Sequence, residues 1–139
     1  MASRNMGIII KKIVNMKIEV PISLGELYDK ISILEIKREN IRDEQKLIHV
    51  NKELELLKEI SNIYPIEPDL YIRLKRVNLH LWQIEDNIRM REKEQRFDDY
   101  FIHFARSVYK TNDERSEIKR EINEQYDSDI VEVKSYEKY

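Results

Sequence analysis

Residues 69–95 read DLYIRLKRVNLHLWQIEDNIRMREKEQ, and this stretch decides the fold class. Its apolar residues follow one another in alternating steps of four and three: Leu70, Leu74, Val77, Leu81, Ile84 and Ile88. A half-buried strand would place apolar residues at every second position, whereas this spacing puts all of them on one face of a helix. The stretch therefore predicts a long α-helix whose apolar seam packs in a hairpin or bundle.

The strongest signal for a helix start lies upstream, around Ser23. Ser23 and Glu26 have the spacing of a capping box, and Ile22 and Leu27 have the spacing of a hydrophobic staple. Together they predict that a helix begins at Leu24. Apolar residues then recur at helical spacing over several turns and spread beyond one stripe, so we expect this helix to be buried on more than one side.

Two further regions complete the helical pattern. Asp43 predicts the N-cap of a second helix, which Pro65 and Pro68 would end. Apolar residues from 97 to 108 predict a fourth helix. Thr111 and Glu114 have capping-box spacing, so a fifth helix could begin there; the alternative is one continuous helix through Thr111. The fold class is therefore mostly α, a bundle of four or five helices.

The two ends of the chain have a different pattern. Residues 16–20 alternate between polar and apolar side chains, and residues 130–133 are rich in β-branched ones. Both predict short strands, which would pair with each other and close the bundle. Residues 1–15 are interpreted as an N-terminal extension, either a strand or a disordered arm, and residues 16–139 as a single helical domain.

Composition excludes several functional classes. The chain has no cysteine, which excludes disulfides, thiolate nucleophiles and cysteine–metal sites. Its 25 basic and 27 acidic residues give a net charge of −2, so nucleic acid is an improbable partner. No apolar run approaches the roughly 20 residues of a membrane span. We therefore expect a cytoplasmic protein with no membrane association.

Eleven polar or aromatic residues are candidates for a ligand site. The first helix carries Asp29, Lys30, Glu35 and Lys37, the third carries Asn78, Trp82 and Glu85, and the last region carries Lys110, Asn112, Arg115 and Lys119. Converging cations and amides can hold a phosphate or carboxylate, and a tryptophan beside polar groups can line a pocket. Solvated helix faces, or a buried polar network that only supports the fold, would give the same pattern.

The sequence offers little sign of a metal, a cofactor or catalysis. Only two glycines are present, which excludes a glycine-rich phosphate loop, and the three histidines lack the spacing that puts two ligands on one helical face. One enzymatic alternative remains, a nucleotide pyrophosphohydrolase with magnesium bound between acidic helices. Glu26-x-x-Asp29 and Glu121-x-x-Glu124-x-x-Asp127 have suitable residue types, but not that family's order or separation. We expect no metal and no cofactor.

Four blocks of sequence carry a resemblance to a known family. They are KIEVPISLGELYDKISILEIKRE (17–39), LHLWQIEDNIR (79–89), FARSVYKTNDERSEIKREIN (104–123) and VEVKSYEKY (131–139). They resemble an uncharacterised family of small bacterial and phage proteins, classed as a domain of unknown function. The resemblance implies one compact, helix-rich domain. It implies no activity, so no functional residue is carried over from it.

Two functions are consistent with these patterns. The first is a non-catalytic helical binding or interaction module, whose partner is an unknown protein or a second copy bound through the apolar seam of the third helix. The alternative is a protein that binds a small phosphate- or carboxylate-bearing ligand, or a small enzyme, with a polar site between helices. The alternative requires the eleven candidate residues to converge on one cavity.

Overall fold

The computed structural model describes residues 16–139, and within this range the chain forms four α-helices. They are α1 (Leu24–Asn40), α2 (Glu44–Ile63), α3 (Pro68–Lys93) and α4 (Asp99–Gln125). The mostly α bundle predicted from the sequence is confirmed. The prediction of an extension over residues 1–15 lies outside the described residues.

The helix starts follow the capping signals. Ser23 accepts a hydrogen bond from the backbone N–H of Glu26 at 3.1 Å, so α1 begins at Leu24 as predicted. The Asp43 carboxylate accepts from the first N–H groups of α2. Pro68 occupies the first turn of α3, where no backbone donor is needed. Local signals therefore determine these three boundaries: a side-chain cap at α1 and at α2, and a proline at α3.

The prediction of a fifth helix that begins at Thr111 is wrong, and the alternative of one continuous helix is confirmed. Thr111 lies in the middle of α4 with only 4% of its surface exposed. Val108, Thr111, Ile118 and Ile122 stay in phase on one helical face. A break would rotate the later residues away from the core, so packing outweighs the local preference of Thr111 for a cap.

The predicted terminal strands are also wrong. The described part of the chain contains no strand, and residues 16–20 and 130–133 have no regular secondary structure. Their apolar side chains are exposed; Ile18 is 77% and Val133 85% accessible. A two-stranded pair without further packing is marginally stable, and no side chain of these segments belongs to the apolar core.

Helix α1 is central to the packing, because it contacts the other three helices. Helices α3 and α4 form an antiparallel hairpin: Arg73 pairs with Glu121 at one end, and Arg91 with Asp98 at the other. All four helices contribute to one core, which consists of Leu27, Tyr28, Ile31, Leu34, Val50, Leu54, Leu70, Leu74, Ile118 and Ile122. As predicted, α1 is buried on more than one side.

The apolar seam of α3 is an internal contact. Leu70, Leu74 and Ile84 are at most 4% exposed, and the remaining seam residues are half-buried. These side chains therefore pack within the chain and do not form a free face for a second copy. Self-association would have to use another surface, and it stays a prediction.

Candidate functional site

A buried carboxylate, Asp29, lies at the junction of α1, α3 and α4. It is 1% exposed. Arg115 of α4 binds it through two nitrogens: Nε donates to Oδ1 at 2.8 Å, and a terminal nitrogen donates to Oδ2. Asn78 of α3 donates to Oδ1 at 2.9 Å and to the Ser32 hydroxyl at 2.7 Å. Two charges and an amide thus tie three helices together.

Lys119 extends this network toward the C-terminus. Its side chain is only 7% exposed, and its ammonium donates to Glu26 of α1 and to Glu132, both at 2.7 Å. Asp29 is 4.0 Å from the same nitrogen. In the described residues every buried side-chain nitrogen and oxygen has a hydrogen-bond partner. We call Glu26, Asp29, Ser32, Asn78, Arg115, Lys119 and Glu132 the polar network.

The N-terminus of α1 docks on the same part of α4. Its first N–H groups are bound by side chains from a distant part of the chain: Leu24 donates to Ser128 Oγ at 3.1 Å, and Gly25 donates to Asn123 Oδ1 at 2.7 Å. An added Cβ on Gly25 would come within 2.6 Å of the Lys119 carbonyl oxygen. The missing side chain allows the two backbones to approach each other closely.

The ion pairs move the pKa values of Asp29 and Lys119 away from neutrality. Burial by itself raises the pKa of Asp29, but the hydrogen bonds from Arg115 and Asn78 and two nearby positive charges outweigh it, so this pKa lies below its usual value. Burial likewise opposes the charge of Lys119, whose pKa is nevertheless raised by Glu132 and Glu26. All three charged groups, Asp29, Arg115 and Lys119, stay ionised near pH 7.

We expect acid to weaken the fold through Asp29. A carboxyl whose pKa is depressed in the folded state stabilises the protein at pH values above its unfolded-state pKa, ordinarily 3.8. This contribution is lost as the pH falls through the folded-state pKa. The melting temperature should therefore fall as the pH drops below about 4. Asp29→Asn should flatten this dependence, whereas Asp86→Asn, at an exposed position, should keep the wild-type slope. Equal slopes in all three proteins would show that Asp29 is not responsible.

A groove borders the network between α1 and the α3–α4 hairpin. It has a volume of about 390 Å³ and is lined mainly by apolar surface. Its lining consists of Ile33, Ile36, Asn78, Leu81, Trp82, Glu85, Asp86, Arg89 and Arg115. We call it the Trp82 groove. Arg115 belongs to both features: two of its nitrogens bind Asp29, while Nη1 makes only a 3.4 Å contact with Asn112.

A second depression lies on the other side of the α3–α4 hairpin. It has a volume of about 530 Å³, and its lining includes three arginines and four glutamates, among them the Arg73–Glu121 pair. This is the appearance of a solvated, mixed-charge helix surface. None of the eleven candidate residues lies there, and it offers no apolar floor comparable to that of the Trp82 groove.

The structure brings together part of the predicted site. Asp29, Asn78, Arg115 and Lys119 share the polar network, Asn112 contacts Arg115, and Asn78, Trp82, Glu85 and Arg115 line the groove. The other four do not join them. Lys30 and Lys110 are exposed, Lys37 is half-buried with no side-chain partner described, and Glu35 binds Tyr71 and Lys75 in a different cluster. The eleven residues therefore do not converge on a single cavity.

Three residues of the polar network are not among the eleven candidates: Glu26, Ser32 and Glu132. Glu26 was assigned to a capping box, and its side chain reaches Lys119 instead. Ser32 shares a helical face with Asp29, a signal that was available in the spacing. Glu132 had no signal, because its contact depends on the path of the chain after α4.

Acidic residues considered as magnesium ligands form ion pairs with lysine or arginine side chains. Glu26 and Asp29 face Lys119 and Arg115, while Glu121 pairs with Arg73. Over residues 16–139 no three histidine or acidic side chains gather in a way that could hold a metal ion. In the same range no helix is both long and apolar enough to cross a bilayer.

Comparison with known proteins identifies the family. Residues 16–139 match the model of a family described as "Family of unknown function (DUF6165)". The chain belongs to this family. The resemblance inferred from the four sequence blocks is thus confirmed, and the match includes α1 to α4 together with the segment that follows them. No curated protein and no solved structure matches the chain.

Proposed function

We propose that this chain is a non-catalytic binding module whose partner is a protein, and that the Trp82 groove is its binding surface. The partner inserts an apolar side chain beside Trp82 and places a carboxylate near Arg115. The observation that carries this proposal is the composition of the groove: an apolar floor, a half-buried indole and an arginine at one edge.

The combination of residues favours recognition. Tryptophan and arginine supply a large part of the binding energy in protein interfaces, usually at the centre of the contact. Ile33 of α1 and Leu81 of α3, both half-buried, give the apolar surface on which an inserted side chain would rest. The guanidinium of Arg115 is held in place by Asp29, so it is ordered before any partner arrives.

The form of the groove favours a protein over a small molecule. Sites for small ligands usually enclose most of the ligand surface. Here the rim is open, since Asp86 and Arg89 are exposed to solvent. An apolar centre with a charged, accessible rim is the usual anatomy of a protein interface. The mixed charge of the rim, with Glu85 paired to Arg89, would favour a partner carrying both signs around its apolar residue.

The polar network supports a structural role for its charges. General acid–base catalysis works best with groups whose pKa lies near the working pH. The pKa of Asp29 is depressed by Arg115 and that of Lys119 is raised by Glu132 and Glu26, so both groups move away from that range. The proposal therefore assigns the network to holding the groove and assigns recognition to the groove itself.

Selection from a library of random displayed peptides tests this function. We expect the full-length chain to enrich peptides with an apolar residue close to Asp or Glu. Their binding should quench or shift the fluorescence of Trp82, which is the single tryptophan in the chain. Replacing this residue (Trp82→Ala) should weaken binding about thirtyfold or more, as for the central residue of an interface.

The matched control is Leu79→Ala, which removes a partly exposed apolar side chain from α3 outside the groove. It should leave the affinity for the selected peptides unchanged, and circular dichroism should show that both variants remain helical. Selected peptides that bind Trp82→Ala and the wild type equally, or a selection without enrichment, would contradict the proposal.

A further inference from the structure

The chain after α4 runs back along that helix. The contacts of residues 128–139, here called the C-terminal strap, occur in order: Glu132 meets Lys119, and Tyr139 then meets Asp113 and stacks edge-on against Tyr109 at 5.0 Å between ring centroids. Ser128 anchors its beginning at the N-terminus of α1. The strap therefore lies antiparallel to the second half of α4.

The strap is held mainly by polar contacts. Its apolar side chains face solvent; Val131 is half exposed and Val133 is 85% accessible. No strap residue belongs to the apolar core. Apart from the Glu132–Lys119 pair, the ion pairs and hydrogen bonds of the strap beyond Ser128 are exposed. Such contacts contribute little to stability, so the strap can leave the helices without unfolding them once Lys119 has another acceptor.

The strap also has slack. From residue 119 back to residue 109, α4 covers about 15 Å at its rise per residue. From Glu132 to Tyr139 the strap advances by seven residues, which can span about 23 Å when extended. Because the chain is not taut, Glu132 can move away from Lys119 while Ser128 stays anchored.

Lys119 needs the acceptor that Glu132 provides. Its ammonium lies in a nearly closed setting, with Glu26 as the second strong acceptor. An ammonium group has three N–H donors, and burying it without acceptors is costly. When the strap leaves, another oxygen has to take the place of the Glu132 carboxylate. The guanidinium of Arg115 is paired with Asp29 and offsets the negative charge of that carboxylate beside Lys119.

We propose that Lys119 and its surroundings form an oxyanion-binding site, and that Glu132 is its internal ligand. A carboxylate or phosphate group from outside the chain binds Lys119 in place of Glu132 and displaces the strap. These ligands share a small, negatively charged group with oxygen acceptors. The two residues that define this site, Lys119 and Glu132, do not line the Trp82 groove, so either proposal can fail without the other.

The test is titration of the full-length chain with inorganic phosphate and, separately, with acetate, followed by amide NMR. We expect Glu132→Gln to bind one of the two anions about five- to tenfold more tightly than the wild type, because a neutral amide competes less well for the Lys119 ammonium than a carboxylate does. The largest shifts should fall on Lys119 and on residues 128–134. The two arms distinguish a phosphate ligand from a carboxylate.

The control is Glu137→Gln, which removes the same charge from the same strap. Within residues 16–139 no ion pair or hydrogen bond of the Glu137 side chain is described, so this variant should bind as the wild type does. Equal affinities in all three proteins, shifts remote from Lys119, or no binding of either anion to Glu132→Gln would overturn the proposal. Glu132→Gln keeps an oxygen acceptor for Lys119, so we expect both variants to stay folded, and the amide spectra show this directly.

Discussion

Asp29→Ala should lower the free energy of unfolding by about 3–5 kcal/mol, the range found when one partner of a buried ion pair is removed. The substitution leaves the Arg115 guanidinium without its bidentate acceptor and deprives Asn78 of an acceptor in the interior. A domain of this size is stable by only about 5–15 kcal/mol. Chemical denaturation monitored by circular dichroism measures the loss.

The neighbouring exposed residue provides the control for Asp29→Ala. Lys30→Ala truncates a charged side chain at the next position of α1, where no buried group depends on it, and should change stability by no more than about 0.5 kcal/mol. A loss below about 1 kcal/mol for Asp29→Ala would mean that the network is not what joins α1 to the hairpin.

Gly25→Ala should destabilise the chain although alanine is the better helix former. In an exposed helix interior this exchange gains about 1 kcal/mol. Here the new Cβ would lie 2.6 Å from a backbone carbonyl oxygen of α4, which cannot rotate away as a side chain would. Overpacking of this kind costs about 1–3 kcal/mol, and the loss of the Asn123 cap on the Gly25 N–H adds to it.

We therefore expect a net loss of about 2 kcal/mol for Gly25→Ala, since overpacking and a weakened cap outweigh the helix propensity. Thermal unfolding measures this loss, and Lys30→Ala, at an exposed position of the same helix, shows the effect of an alanine that meets no clash. A Gly25→Ala protein as stable as the wild type would show that α1 and α4 can separate at this point without cost.

The sequence predicted the helices better than it predicted their contacts. Local signals identified the start of α1 at Leu24 and the N-cap at Asp43, because capping depends on residues only a few positions apart. The same local signal failed at Thr111. Its capping-box spacing was real, but burial against the core kept α4 continuous. The predicted strands failed for a related reason: extended segments need a partner surface, and spacing alone does not supply one.

The candidate site was predicted in part. Arg115 and Lys119 were selected because cations at helical spacing share a face, and they do meet Asp29. Lys30 and Lys110 are cationic like Arg115 and Lys119, but their positions on the helices face solvent. Glu35 lies on yet another face, against Tyr71. Which polar residues converge depends on how α1 crosses the hairpin, and this tertiary geometry was not available from spacing.

The most direct test of the proposed function is an amide and indole NMR map of the full-length chain with the tightest peptide from the displayed library. We expect the largest shifts on the Trp82 indole N–H, Ile33 and Leu81, which line the groove between α1 and the hairpin and are only half-buried. Shifts centred instead on Arg73 and Glu121, in the charged depression on the other side of α3 and α4, would contradict the assignment of the groove as the binding surface.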